Sequence, residues 1–231
     1  MWYWLFKYIF MGPLLTLLGR PKVEGLEYVP DSGAVILASN HLAVADSFYL
    51  PLVVKRRITF LAKAEYFTGA GIKGWFQRWF YTAAGQVPID RTDADSASAA
   101  LGTAARILTE GKLLGMYPEG TRSPDGRLYK GKTGLARVAL NTGVTVIPVA
   151  MIGTDAVNPP GSKMWKFARV TVRFGKPMDF SRFDGLEGNR FIERAVVDEV
   201  MYELMRLSGQ EYVDLYAADI KEGKQPAGIA A

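Results

Sequence analysis

The chain contains no cysteine and only one histidine, His41, among its 231 residues. Without cysteine, disulfides, thiolate nucleophiles and cysteine-ligated zinc sites are excluded. A cysteine-free chain also fits a reducing compartment such as the cytosol. A histidine-rich metal site is excluded as well, so any chemistry that needs an imidazole base depends on His41.

Acidic residues are outnumbered, because 28 Lys and Arg stand against 23 Asp and Glu, which gives a net charge of +5. A basic balance favours anionic partners such as lipid headgroups, nucleic acid or phosphorylated small molecules. Nucleic acid is the weakest of these, because the basic residues are scattered and no RNP-type or helix-turn-helix signature accompanies them. We therefore expect no nucleic-acid partner.

The sequence also lacks internal repeats, low-complexity blocks and an interdomain linker. Its length suits one domain with a substantial core. We predict a hydrophobic helix over residues 1–20, a single domain over 21–221 and a flexible tail over 222–231.

Residues 1–18 are dense in Trp, Tyr and Phe and carry one charge, that of Lys7. As one helix this segment would be ~27 Å long, slightly short of a bilayer core. Gly12-Pro13 interrupts it, and Trp and Tyr prefer the headgroup boundary. We therefore predict a membrane-associating helix that lies at the interface. A first helix buried against the domain is the alternative. A secretory signal is not indicated, because a basic start and a small-x-small cleavage site are lacking.

A second segment with membrane-surface character covers residues 67–81. Its aromatic and basic residues are Phe76, Trp79, Phe80, Lys73 and Arg78. Aromatic and basic side chains together suit an anionic leaflet, whereas an amphipathic helix packed on the core gives the same pattern.

Short apolar runs bounded by turn residues are typical of buried strands, and they occupy residues 34–38, 58–62, 113–117, 144–151 and 170–174. Helical stretches cover 46–54, 96–109 and 134–140, and Ile192, Val196, Val200 and Leu204 mark the apolar face of a long final helix. This alternation predicts an α/β domain with a mostly parallel central sheet flanked by helices, with functional loops at the carboxyl ends of the strands.

The first predicted strand is followed by Asn40-His41 and then by Asp46. The five-residue separation corresponds to ~140° of rotation on a regular helix, so His41 and Asp46 would not share a helical face. We expect His41 in the turn before a helix and Asp46 on its first turn, where the carboxylate can orient the imidazole as a base. Two capping residues at a helix start would give the same spacing.

A second cluster of functional side chains follows the predicted strand at 113–117. It reads Tyr117-Pro118-Glu119-Gly120-Thr121-Arg122-Ser123. The run combines a carboxylate, a glycine, a hydroxyl and a guanidinium, and arginine is suited to bidentate phosphate binding. Two further blocks are Pro88-Ile89-Asp90-Arg91 and Val146-Ile147-Pro148-Val149.

Together these four blocks resemble the glycerolipid acyltransferase family, typified by 1-acylglycerol-3-phosphate acyltransferase. The family carries, in order, NHxxxxD, G-x-x-x-I-D-R, FPEGTRS and V-I-P-V, and the same order is kept here between residues 40 and 149. NHxxxxD alone is a weak signal, whereas its combination with PEGTRS is highly specific. The resemblance implies transfer of a fatty acyl group from acyl-CoA or acyl carrier protein to a hydroxyl of 1-acylglycerol 3-phosphate. The product would be phosphatidic acid, made at the cytoplasmic face of the cell membrane for phospholipid synthesis.

The resemblance also implies a role for each matching residue. His41 would take the proton from the acceptor hydroxyl, and Asp46 would hold His41. The other residues would bind the acceptor: Glu119, Gly120 and Thr121 by shaping its site, Arg91 and Arg122 by gripping its phosphate, and Lys63 by lying near that phosphate. No metal or other cofactor is implied, since acyl-CoA is a substrate.

The sequence departs from the family pattern at four positions without losing a reacting group. Leu42 and Ala43 stand where Gln or Ser often follows the histidine, Tyr117 replaces Phe, and Pro88 stands where an aromatic residue is frequent. These departures bear on acceptor selectivity.

Residues 126–133 formally match the phosphate-binding pattern G-x-x-x-x-G-K-[ST]. Such a loop requires a strand immediately before it, whereas the polar turn 123–125 precedes this stretch. We expect Lys132 instead to add positive charge near the acceptor site. An α/β-hydrolase is excluded, because G-x-S-x-G is lacking. Two alternatives remain: a glycerol-3-phosphate acyltransferase, and a catalytically inactive membrane-binding protein.

Overall fold

The computed structural model describes residues 2–64, 67–83, 85–89, 94–159, 162 and 164–224. The strands in these ranges are β1 (Lys22–Glu24), β2 (Val35–Ser39), β3 (Ile58–Lys63), β4 (Gln86–Ile89), β5 (Leu113–Met116), β6 (Leu128–Tyr129), β7 (Val146–Ile152), β8 (Thr171–Phe174) and β9 (Tyr212–Val213). The α-helices are α1 (Trp2–Leu5), α2 (Gly12–Gly19), α3 (Asp46–Val53), α4 (Gly71–Ala83), α5 (Ala94–Thr109), α6 (Gly134–Thr142), α7 (Thr154–Val157), α8 (Arg190–Ser208) and α9 (Ala217–Lys221).

Among the described residues, seven strands form one sheet in the order β1-β8-β7-β2-β5-β3-β4. The strands from β7 to β4 in this order are parallel to one another, whereas β8 runs antiparallel to β7 and pairs in parallel with β1. The predicted α/β fold with a mostly parallel central sheet is therefore confirmed. Strands β6 and β9 form a separate parallel pair.

The central strand β2 shows why continuous apolar runs form this sheet. All of its residues are buried, because helices cover both faces of the sheet. Since side chains alternate between the faces, Ile36 and Ala38 join the hydrophobic cluster under α5, α6 and α8, whereas Val35 and Leu37 join the cluster that includes α2 and α3. The sheet thus divides the core into two apolar layers.

The long helix α8 covers one face of the sheet and contacts β7. Its start is fixed by Asn189, whose side chain accepts hydrogen bonds from the backbone N–H groups of Phe191 and Ile192 at 3.0 and 3.4 Å. The residues at the predicted four-residue spacing, Val196, Val200 and Leu204, are fully buried.

The N-terminal segment is helical from Trp2 to Gly19, with a π-helical turn over Phe6–Met11 directly before α2. Gly12-Pro13 therefore starts a helical element, where proline needs no N–H partner. Leu15 is buried, and the Tyr49 hydroxyl, which donates to the Leu15 carbonyl at 3.0 Å, occupies the space that a Gly19 side chain would need. This segment therefore packs one side on the domain.

The other side of the N-terminal segment leaves large side chains exposed. We call Trp4, Tyr8, Ile9, Leu14 and Leu17 the N-terminal face. In the second predicted segment, α4 packs beside α1 and leaves Ile72 and Trp75 exposed. Within the described part of the chain, no helix is both long and apolar enough to cross a membrane.

Candidate active site

The site begins where β2 ends. His41 lies in the turn after β2, and Asp46 is the first residue of α3. The Nδ1 atom of His41 lies 2.8 Å from Oδ2 of Asp46. The same carboxylate oxygen accepts hydrogen bonds from the backbone N–H groups of Leu42 and Ala43 at 2.7 and 2.8 Å. Asp46 thus binds the turn that precedes it and contacts the imidazole as well.

The Asp46 carboxylate determines which ring nitrogen of His41 is available. An ionised carboxylate only accepts hydrogen bonds, so Nδ1 of a neutral imidazole carries the proton and Nε2 keeps its lone pair. The Asp46 side chain is fully buried, whereas 15% of the His41 side chain is exposed. The exposed part of the imidazole is therefore accessible to a ligand while its partner is not.

Tyr117 packs against the face of the His41 imidazole. Its ring stacks on that of His41 with a centroid distance of 3.8 Å and an interplanar angle of 10°. The Tyr117 hydroxyl and Ser47 Oγ are hydrogen-bonded at 2.9 Å, which fixes the ring against α3. Burial, and next the Asp46 charge, raises the pKa of Tyr117 well above its usual value. Tyr117 departs from the family motif, which has Phe at this position, and the sequence does not reveal its contact with His41.

Glu119 binds the backbone of the histidine turn. Its side chain is buried, with Oε1 accepting from the His41 N–H at 3.1 Å and Oε2 accepting from the Tyr129 N–H at 3.0 Å. The Ser123 N–H donates to the His41 carbonyl at 2.7 Å. Burial raises the pKa of Glu119 to about 7. The 117–123 loop therefore fixes both backbone polar groups of His41.

Gly120 leaves room for the side chain of Lys132 to pack against this loop. Its φ of +73° lies in the left-handed region, and a Cβ atom there would come within 3.1 Å of the Lys132 side chain. The Lys132 N–H donates to the Pro118 carbonyl at 2.8 Å. Lys132 thus lies beside the 117–123 loop. The 126–133 stretch does not form a phosphate loop, because its middle is β6, which pairs with β9.

Thr121 and Arg122 form the exposed side of the loop. Thr121 Oγ1 accepts a hydrogen bond from the Lys221 ammonium at 3.0 Å, and the Arg122 carbonyl accepts another from the same group. Sequence reasoning missed Lys221, because it lies a hundred residues beyond Thr121 and belongs to no motif.

Asn40 belongs to the NHxxxxD motif, and its side chain joins three segments of the chain. Its side-chain amide donates to the Met151 carbonyl at 3.0 Å and to Gln210 Oε1 at 2.7 Å, and its Oδ1 accepts from the Met151 N–H at 2.7 Å. The ends of β2 and β7 are thereby fixed together. The fourth block, Val146–Val149, lies within β7 and is buried beside β2.

Two predicted acceptor-binding residues are not placed against the others. Lys63 ends β3, but its side chain lies outside the described part of the structure. Arg91 also lies outside the described residues.

An imidazole lies against a buried carboxylate at the carboxyl edge of a parallel sheet and beside a cationic loop. Such an arrangement has the chemistry that a general base and a bound anion require. The acyltransferase family model matches residues 20–152, which is more than half of the chain and includes His41, Asp46 and the 117–123 loop. The chain therefore belongs to the acyltransferase family, and the resemblance of its motifs to that family is confirmed.

Curated relatives extend this similarity. The chain is 35% identical over 167 residues to a chloroplastic 1-acyl-sn-glycerol-3-phosphate acyltransferase of Arabidopsis thaliana, covering 71% of this chain and 45% of that protein. It is 26% identical over 172 residues to the 1-acyl-sn-glycerol-3-phosphate acyltransferase of Bacillus subtilis, covering 74% of this chain and 79% of that protein. The match thus spans about half the length of the plant relative.

A solved structure gives the same result at the level of the fold. The crystal structure of the 1-acyl-sn-glycerophosphate acyltransferase from Thermotoga maritima superposes with a TM-score of 0.62 at 29% sequence identity. The match covers 84% of this chain and 76% of that chain.

Proposed function

We propose that this chain is a 1-acylglycerol-3-phosphate O-acyltransferase. It transfers a fatty acyl group from acyl-CoA or acyl carrier protein to the free hydroxyl of 1-acylglycerol 3-phosphate and makes phosphatidic acid for phospholipid synthesis. The observation that carries this proposal is the 2.8 Å contact between His41 Nδ1 and Asp46 Oδ2, which leaves Nε2 free to act as a base. The names of the Arabidopsis and Bacillus relatives support the choice of substrate.

In the proposed reaction, Nε2 of His41 takes the proton of the acceptor hydroxyl while that oxygen attacks the thioester carbonyl. The tetrahedral intermediate then expels the thiolate, which receives the proton from the imidazolium and leaves as a thiol. The Asp46 carboxylate stabilises the imidazolium between these two steps. The acceptor itself supplies the nucleophile, so the reaction needs no serine nucleophile, and the proposed steps involve no metal or other cofactor.

The acceptor phosphate is proposed to lie against the cationic loop. Arg122 and Lys132 are exposed on the 117–123 loop or beside it, and the loop is bonded to the His41 backbone through Glu119 and Ser123. A phosphate bound there would hold the acceptor next to the imidazole. Lys63 and Arg91 remain proposed contributors through the family pattern. Gly120 and Thr121 would shape the floor of this site.

The membrane supplies the acceptor in this proposal. The N-terminal face exposes Ile9 and Leu17 by 61% and 58%. A small cavity of about 20 Å³ lies between the N-terminal helices and α3 and is lined in part by Ser47, which also contacts Tyr117 in the site. We propose that this face lies on the cytoplasmic surface of the cell membrane, so that lipid substrates reach His41 from that side.

An acyl-transfer assay with purified protein tests the function. Acyl-CoA and acyl carrier protein donors are offered with 1-acylglycerol 3-phosphate or glycerol 3-phosphate as acceptor. His41→Ala is expected to lower kcat/KM by ~10³-fold, because a required base is lost. Phe191→Ala, at a position that is 85% exposed on α8, serves as the control with unchanged activity.

Three results would overturn all or part of this proposal. A His41→Ala rate within about threefold of the wild type would remove the imidazole from the mechanism. Wild-type protein that binds vesicles but transfers no acyl group would support the inactive membrane-binding alternative. Preferential use of glycerol 3-phosphate would replace the proposed acceptor.

A further inference from the structure

The C-terminal segment returns to the proposed acceptor site after α8. Gln210 accepts from Asn40 and donates to the Gly126 carbonyl at 2.6 Å, and β9 then pairs with β6. The Lys130 N–H lies 3.1 and 3.0 Å from the carbonyls of Val213 and Leu215. These bonds fix the segment and place α9 beside the 117–123 loop.

Lys221, the last residue of α9, is the point of contact with the loop. Its ammonium donates to Thr121 Oγ1 at 3.0 Å and to the carbonyl of Arg122. An ammonium group has three N–H donors, so one remains for a further acceptor. Partial burial, followed by the nearby Arg122 charge, lowers the pKa of Lys221, whereas the Glu119 charge opposes this. Lys221 therefore lies close enough to both Glu119 and Arg122 to interact with their charges.

The cations on this surface lack the carboxylate partners that neighbouring basic side chains have. Three neighbouring basic side chains are paired with carboxylates: Arg127 with Asp125, Lys130 with Asp214, and Arg194 with Asp198. In the described ranges, by contrast, Arg122, Lys132 and Lys221 form no ion pair. Glu222, the acidic residue next to Lys221, pairs with Lys224 at 2.5 Å. Three unpaired cations around one loop make a site for a multiply charged anion.

We propose that Lys221 binds the phosphate of the acceptor together with Arg122 and Lys132, and thereby makes the C-terminal segment a determinant of selectivity for phosphorylated acceptors. This proposal rests on the proposed function and adds a residue outside the four family blocks. The phosphate would take the third N–H of Lys221, while the bonds to Thr121 and Arg122 keep the ammonium in place.

The test compares Lys221→Gln with Lys221→Arg. Glutamine keeps a hydrogen-bond donor for Thr121 but loses the charge, whereas arginine keeps the charge. Lys224→Gln is the matched control, because Lys224 follows on the same segment and is paired with Glu222. Arg122→Ala is the comparator for a phosphate contact on the loop itself. The measurements are kcat and KM for 1-acylglycerol 3-phosphate and for monoacylglycerol, and calorimetric binding of glycerol 3-phosphate.

Lys221→Gln is expected to raise KM for the phosphorylated acceptor and Kd for glycerol 3-phosphate about tenfold, which is typical of losing one charged hydrogen bond. Use of monoacylglycerol and the kcat for the phosphorylated acceptor should change little. Lys221→Arg should restore most of the affinity. Arg122→Ala should show the same pattern, and Lys224→Gln should match the wild type.

Two results would overturn the role of Lys221. The first is an unchanged KM and Kd in Lys221→Gln. The second is an equal loss of kcat with both acceptors that arginine does not restore, which would indicate a purely structural contact. The binding measurement also separates the two proposals. If the wild type transfers no acyl group but Lys221→Gln still weakens glycerol 3-phosphate binding, the phosphate site stands and the proposed reaction fails.

Discussion

Two regions of this molecule depart from the usual distribution of polar and apolar side chains, in opposite directions. At the carboxyl edge of the sheet, Asn40, Asp46 and Glu119 are buried, with exposures of 0%, 0% and 1%. On the N-terminal face, Ile9 and Leu17 are 61% and 58% exposed. The first region places polar groups inside the protein, and the second places apolar groups outside it.

The two regions differ in whether their side chains find contact partners within the chain. The buried polar side chains are bonded within the chain, since Asp46 Oδ2 alone has three partners and each Glu119 oxygen has one. Such bonds offset the cost of burial. The N-terminal face has no covering partner among the described residues. We propose that this face is a surface for association, whereas the polar groups of the site find their partners within the chain.

After the loss of His41 itself, the largest effect is expected from removing the charge of Asp46. In Asp46→Asn, the amide oxygen can keep the bonds from Leu42, Ala43 and Nδ1–H, because those donors all point at Oδ2. The ring orientation is then retained while the charge that stabilises the imidazolium is lost. We expect kcat to fall by about 10²- to 10³-fold, measured in the acyl-transfer assay.

The new amide group of Asp46→Asn also has a structural consequence. It takes the place of Oδ1, which has no hydrogen-bond partner within the described chain. The free energy of unfolding should therefore fall by about 1–3 kcal/mol in urea denaturation. Asp198→Asn, which removes a charge from the exposed pair with Arg194, is the control. A near-normal kcat would show that the buried carboxylate only shapes the turn.

A second expected effect concerns the titration of Glu119. Burial raises its folded-state pKa from 4.5 to about 7, so the folded state binds this proton more tightly than the unfolded state does. The stability from this group is fully present below its unfolded pKa and is lost as the pH rises through its folded pKa. Between about pH 5 and pH 7 we expect this group alone to lower the free energy of unfolding by about 2 kcal/mol.

Glu119→Gln measures this contribution, because glutamine does not titrate. Its NH₂ group is a donor and cannot accept a hydrogen bond from the backbone N–H that it faces, which is that of His41 or of Tyr129. Because one hydrogen bond is lost, the variant is less stable at pH 5. The difference in unfolding free energy between the two proteins should shrink as the pH rises from 5 to 7. A difference that stays constant over this interval would mean that Glu119 does not change protonation there.

The smallest effect is expected on the N-terminal face. The triple variant Ile9→Ser/Leu14→Ser/Leu17→Ser should weaken binding to vesicles of phosphatidylcholine and phosphatidylglycerol at least about tenfold, because apolar area that would enter the lipid is lost. Co-flotation with vesicles measures the bound fraction. Leu186→Ser/Phe191→Ser removes exposed apolar side chains from another surface and should bind like the wild type. Full retention of the triple variant would place the membrane contact elsewhere.

Much of the fold could be predicted because its signals are local. Runs such as 34–38 and 113–117 are apolar throughout, and in β2 and β5 they are buried in neighbouring parallel strands. The four-residue spacing of Val196, Val200 and Leu204 marks the buried side of α8. The antiparallel direction of β8 relative to β7 could not be predicted, since strand direction depends on the path of the connecting chain.

The sequence by itself determined the alternation of strands and helices, the family motifs and the closeness of His41 to Asp46, because each depends on residues close together in the chain. Only the tertiary structure decided that Tyr117 stacks on the imidazole, that Glu119 bonds the His41 backbone and that Lys221 reaches Thr121. These contacts join segments 76, 78 and 100 residues apart, and chain folding alone brings them together. Hydrophobic periodicity reports which side of an element is buried, but it carries no information on which distant side chain lies opposite.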